Sequence, residues 1–210
     1  MSNRLDPPSV RRITLKLTVA AVAWGSLVAV AASSGLLRSL YPPLIGPLVG
    51  LGIALPVIVY FSSPALKAFF RTVGLYPITV FHVWRIPAAL VLFWYGLHGV
   101  LPPVFWIIAG VGDFLSGVFT LPLLRGPAGR NTYLSKHLFG FADCVGAVGT
   151  GLTLTLLNDP RMCAIRGLPL ALIPLFGVGI SGASHIIAFH LLWSERRTGA
   201  GASSEMASAI

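Results

Sequence analysis

The sequence predicts an all-α fold, a polytopic membrane helical bundle of about six transmembrane helices with both termini on the cytoplasmic side. Three observations predict it: long apolar runs, scarce charge, and Lys and Arg gathered beside alternate runs. Of 210 residues, 55% are hydrophobic and 10% charged, with a mean hydropathy of +0.83. A soluble domain carries about 25% charged residues, so a surface this poor in charge belongs in lipid. Hydrophobicity at this level excludes disorder of the whole chain. The runs are continuous rather than alternating with period two, which argues against a transmembrane barrel.

About 20 apolar residues cross a hydrocarbon core. Six stretches qualify, at 13–36, 43–61, 77–100, 103–122, 134–157 and 169–193, so that residues 1–193 form a single transmembrane domain. Between the second and third, PALKAFFRTVG is too polar to span and reads as an interfacial loop or short helix. Residues 194–210, ending GAGASSEMASAI, are expected to be a disordered cytoplasmic tail. The first stretch has the basic start, apolar middle and AVAASSG end of a signal peptide. Its apolar part is long for one, so it is read as a retained span.

Orientation follows from the basic residues. With the N-terminus inside, one side collects Arg4, Arg11, Arg12, Lys16, Lys67, Arg71, Arg125, Arg130, Lys136, Arg196 and Arg197. The other receives only Arg38, Arg161 and Arg166, and Arg85 is left within a span. The net charge of +9 therefore reports topology, not a nucleic-acid partner, because the charges flank apolar runs and form no basic stripe. The bilayer is the expected partner, and nothing in the sequence sets an oligomeric state. Cys144 and Cys163 are read as unpaired thiols, and no Cys/His spacing of a metal site occurs, so no metal ligand is predicted.

The three inward-running spans share the pattern P-x7-G-x-G: Pro42, Gly50 and Gly52; Pro102, Gly110 and Gly112; Pro169, Gly177 and Gly179. Proline fits a first helical turn and glycine admits a neighbouring backbone, so the spacing suggests three helical hairpins. Gly46 and Gly50 add a GxxxG. Asp113 shares its helical face with Ala109, Gly110, Ser116 and Gly117, and Asp143 with Gly140, Gly146 and Ala147. Both carboxylates are therefore expected in helix contacts rather than lipid.

A charge at membrane depth costs at least ~2.5–3.5 kcal/mol on the insertion scale and needs a partner or a task. Arg85, Asp113 and Asp143 lie ~12–14 Å from the cytoplasmic ends of their spans at 1.5 Å per residue, and His185 reaches the same level. His82, His137 and His190 form a shallower tier, while His98 belongs to the outer side. Pro87 removes the N–H that Val83's carbonyl would accept, predicting a kink beside the face shared by His82 and Arg85. The expected site pairs Arg85 with one or both aspartates across the third, fourth and fifth spans. One Arg against two carboxylates leaves a proton to share, which suits a water-filled cavity open to the cytoplasm.

That layer predicts a proton-linked small-solute transporter or channel-like protein. A non-catalytic assembly or interaction protein fits buried ion pairs that only fix helix register. A b-type haem protein would draw two axial imidazoles from His82, His137 and His190, with Arg85 at a propionate; no cofactor motif accompanies them. There is no HExxH and no GxSxG, so no catalytic residue is predicted.

The stretch LPPVFWIIAGVGDFLSG opens a helix with prolines and places Gly-Asp in mid-span. Over the third to sixth spans it resembles small multi-pass bacterial membrane proteins with no assigned function. The resemblance implies a plasma-membrane protein of the bacterial inner-membrane type and draws attention to Asp113. It implies no substrate, cofactor or catalytic residue.

Overall fold

A computed structural model describes residues 5–208, with side chains described over residues 5–194. Among the described residues there is no strand, and six helices are long and apolar enough to cross a bilayer: Pro7–Ser33, Pro42–Ser62, Leu75–Leu97, Pro103–Arg125, Arg130–Leu156 and Ile173–Ser194. The chain is an all-helical, multi-pass membrane bundle. Large apolar side chains such as Leu15, Leu51, Trp94 and Val145 cover its outside, where lipid takes the place of a protein core.

Local chemistry sets the helix ends. Proline occupies the first turn at Pro7, Pro42, Pro64 and Pro103, where a missing N–H leaves no bond unmade. The segment expected at the interface is an amphipathic helix, Pro64–Val73, capped by Ser63 accepting from the Leu66 amide at 3.2 Å. It ends at Gly74, whose φ of 77° suits glycine. The backbone of the last helix continues to Ser208, beyond the point where a disordered tail is expected. No proline follows Pro174 to stop it, and Arg and Ala sustain a helix. The tail's side chains and the last two residues lie outside the described ones.

The third span is interrupted, and the sixth opens irregularly. In the third, the stretch Phe81–Trp84 winds as a tight 3₁₀ turn before a new helix, Arg85–Leu97. Pro87 cannot donate to Val83, which is the kink its position predicts. In the sixth, Ile173–Val178 opens as a wide π turn, and Pro174 there cannot bond to Leu170's carbonyl.

The sixth span is central, with 67% of its apolar window buried, whereas the first is peripheral at 6%. The sixth packs on the second and fifth, and the fourth packs between the third and fifth. The arrangement is thus closed by the sixth span rather than assembled from three self-contained hairpins. The repeated glycines have unequal surroundings. Gly52 and Gly179 face one another and receive the ring of Trp24, which also meets Phe176 edge-on at 5.7 Å. That ring ties the first span to the bundle. Gly110 faces Phe93, Gly177 faces Trp84, and Gly50 has open space beside it.

At one end of the bundle the Leu5 amide bonds Thr72, and Arg130 reaches the carbonyl of Leu192. At the other, Arg166 donates to the carbonyls of Arg38 and Leu40 at 2.9 and 3.0 Å and to Cys163 Sγ at 3.0 Å. It ties the loop after the fifth span to the loop after the first. Arg166→Met is expected to cost about 1–3 kcal/mol, as two carbonyls lose a charged donor, measured by denaturant titration in detergent. Nearby, a hydrogen bond from the exposed Arg161 holds the half-buried Asp159 carboxyl below the usual carboxylate range. Both cysteines are free.

Candidate functional site

The fourth span presents Phe105, Ala109, Gly110, Asp113, Ser116 and Gly117 inward, all buried, as the spacing of small residues predicts. Asp113 is 6% exposed, and Arg85, which opens the second half of the interrupted third span, is 2% exposed. Arg85 Nε donates to Asp113 Oδ1 at 2.5 Å, and Nη2 pairs with Asp143 Oδ2. Nη1 donates to Ser116 Oγ at 3.0 Å and to the Gly140 carbonyl at 3.2 Å. One guanidinium thus uses four of its five donors to join three spans, and neither aspartate faces lipid.

Close approach of the helices depends on glycine. A methyl on Gly112 would collide with the Asp143 carboxylate, and one on Gly117 with Ile86. On Gly140 it would meet the His185 ring at 2.5 Å and Ser116 Oγ at 3.1 Å. Gly140 is therefore where the charged cluster adjoins a second group of polar side chains.

That second group contains His82, His137 and His185, each 0% exposed, from the third, fifth and sixth spans. His137 Nδ1 lies 2.8 Å from His185 Nδ1, and its Nε2 lies 2.9 Å from Thr79 Oγ1. His82 stacks on His185 with ring centroids 4.2 Å apart, and its Nε2 is 3.1 Å from Ser184 Oγ. The sequence assigns His185 to the deeper level and the other two to a shallower tier with His190; the coordinates draw the boundary elsewhere. His185 joins His82 and His137, because the interrupted third span and the sixth span meet there. His190 stands apart, bonded through Nδ1 to Tyr60 hydroxyl at 2.7 Å and linking the sixth span to the second.

Four contributors escape a reading by spacing alone. Lys136 is assigned by its position to the inner boundary, yet it is 5% exposed, with Nζ 3.4 Å from Ser116 Oγ. The cluster therefore holds Arg85 and Lys136 against Asp113 and Asp143, two charges of each sign, instead of one cation against two anions. Thr79 and Ser184 look like ordinary small residues of a span, and only the fold sets them on histidine nitrogens. Trp84, in the 3₁₀ turn, lies against Gly177 of the π turn and donates to Ser181 Oγ at 3.2 Å, fastening the two turns together.

Beside the charged cluster lies a cavity of about 60 Å³. Arg85, Asp113 and Cys144 bound it at one end, and Thr155, Ile165 and Leu170 at the other. Its walls are otherwise almost wholly apolar, including Val49, Leu92, Phe105 and Val178. Where the sequence suits a water-filled cavity open to the cytoplasm, the cavity beside these charges is apolar and extends toward Thr155. Apolar side chains from the second, third and fourth spans turn inward at that level and repel water.

Residues 42–193 match the model of a family described as a domain of unknown function (DUF8737). Comparison with curated proteins and with solved structures finds no match.

Proposed function

The chain belongs to this family of unknown function, so its activity has to be read from its own residues, and we propose that it is a proton-linked carrier or channel-like protein for a small solute. It sits in a plasma membrane of the bacterial type with both termini in the cytoplasm. One observation carries the reading: the 3₁₀ turn within the third span meets the π turn that opens the sixth beside a buried charged cluster that floors a cavity. Broken helices flanking a site near mid-membrane are how secondary transporters build a movable binding place. The cavity's apolar walls and charged floor suit a small solute with an apolar body and a polar end. Asp113 or Asp143 takes up the proton when Lys136, on its flexible stem, withdraws toward the basic end and leaves the carboxylates in excess.

A thermal-shift screen of small metabolites across pH, followed by solute-driven acidification of vesicles loaded with a pH-sensitive dye, tests this. The expected result is a stabilising solute whose entry moves protons, with proton movement at least ~10-fold slower in Asp113→Asn and Asp143→Asn, the loss of one group's proton transfer being worth that or more. Undiminished proton movement in both variants, or none in the unaltered chain, overturns the reading. The near-complete use of Arg85's donors favours a second reading, a non-catalytic assembly protein whose ion pairs only set helix register. Under it, the same two substitutions lower the melting temperature and change nothing else.

A further inference from the structure

The hydrogen bonds around the three buried histidines fix which nitrogens carry protons. Thr79 hydroxyl donates to the Leu75 carbonyl at 2.8 Å, so toward His137 Nε2 its oxygen accepts. His137 is thus the Nε2–H tautomer, and its Nδ1 lone pair accepts from His185 Nδ1–H. By the same reasoning Ser184 hydroxyl donates to the Ser181 carbonyl at 2.8 Å and accepts from His82 Nε2–H. Two bare lone pairs follow, on His82 Nδ1 and His185 Nε2. Among the described residues neither finds a donor, although both are fully buried. Buried acceptors without partners are costly and call for an explanation.

We propose that His82, His137 and His185 form a binding site for a single first-row divalent transition-metal ion, of which zinc is the type. One ring nitrogen from each lies within 4.8 Å of the other two. Neutral imidazole is a ligand of choice for zinc, copper, iron and nickel. His82 and His137 offer Nδ1, and each has its far N–H anchored on a hydroxyl, the outer support that orients metal-binding histidines. His185 offers Nε2 as it stands, or Nδ1 once its proton moves across the ring. Zinc–nitrogen bonds of ~2.0–2.1 Å set ligand nitrogens roughly 3.3 Å apart in a tetrahedral site, so the 2.8 Å contact opens and the His82 stack turns as the ion enters. Three protein ligands leave a fourth position for water or a substrate atom. No carboxylate belongs to the trio, and Asp113 and Asp143 are already matched by Arg85 and Lys136, so the counter-charge enters with the group that fills the fourth position. The site stands whether or not the chain carries a solute.

The test uses the full-length chain purified in detergent, stripped with chelator and titrated with zinc or cobalt(II). The expected result is one ion per chain by elemental analysis, with cobalt giving the intense visible absorption of a low-coordinate nitrogen site. His137→Ala and His185→Ala should abolish the cobalt spectrum and weaken zinc binding more than ~100-fold, while His98→Ala and His190→Ala leave both unchanged. Thr79→Val keeps all three ligands and is expected to weaken binding ~10–100-fold, so it decides the matter if the ligand variants do not fold. A folded chain that takes up no metal overturns the proposal, as does unchanged affinity in Thr79→Val or in either ligand variant.

Discussion

Arg85→Met is expected to destabilise the protein by about 3–5 kcal/mol, because it leaves the Asp113 and Asp143 carboxylates buried with only Lys136 to offset them. Stability measured by denaturant titration in micelles checks the size of the loss. The informative step is the combination with Asp113→Asn and Asp143→Asn. With all three charges gone the cluster becomes a set of neutral groups, and most of the lost stability is expected to return, since neutral replacements of buried ion pairs are often nearly neutral in effect. Lys136, no longer attracted inward, can extend toward the nearby interface. Failure of the triple variant to recover would place the cost in Arg85's bonds to Ser116 and Gly140 instead.

Gly112→Val is expected to cost more than about 3 kcal/mol, at or beyond the upper end of ordinary overpacking. The new side chain falls on the Asp143 carboxylate, and the helices carrying the two residues have little room to part. The change should therefore break the Arg85–Asp143 pair as well as crowd the contact. Its signature is non-additivity: in an Asp143→Ala background the obstacle is gone, and Gly112→Val is expected to cost less by about 0.5–3 kcal/mol. A full and independent penalty in that background would show that the glycine is needed for its backbone alone.

The fold was legible because lipid imposes a simple code. Continuous apolar runs and alternating basic ends give the number of spans without any knowledge of packing, and proline marks their starts. Asp113 was also legible, since the small residues one turn either side of it announce a packed face. Depth was read less well. Counting residues from span ends treats each helix as a straight rod, and the 3₁₀ turn at Phe81–Trp84 and the π turn at Ile173–Val178 break that assumption. His185 meets His82 and His137, and His190 pairs with Tyr60, for this reason. The position of Lys136 beside a span end looks the same in the sequence whether the stem reaches outward to headgroups or inward to Ser116. The histidine trio has no linear spacing to detect, because its members come from three helices and are brought together only by how the sixth span docks.

The seating of a single indole against two touching glycines has a bearing on parity. The family region, residues 42–193, contains five crossings, so its two ends emerge on opposite faces of the bilayer. The preceding helix, seated by Trp24 against Gly52 and Gly179 and by Val28 and Ala32 in the core, makes the number of span-length helices even. A helix outside the family region thus sets whether the crossings are odd or even in number.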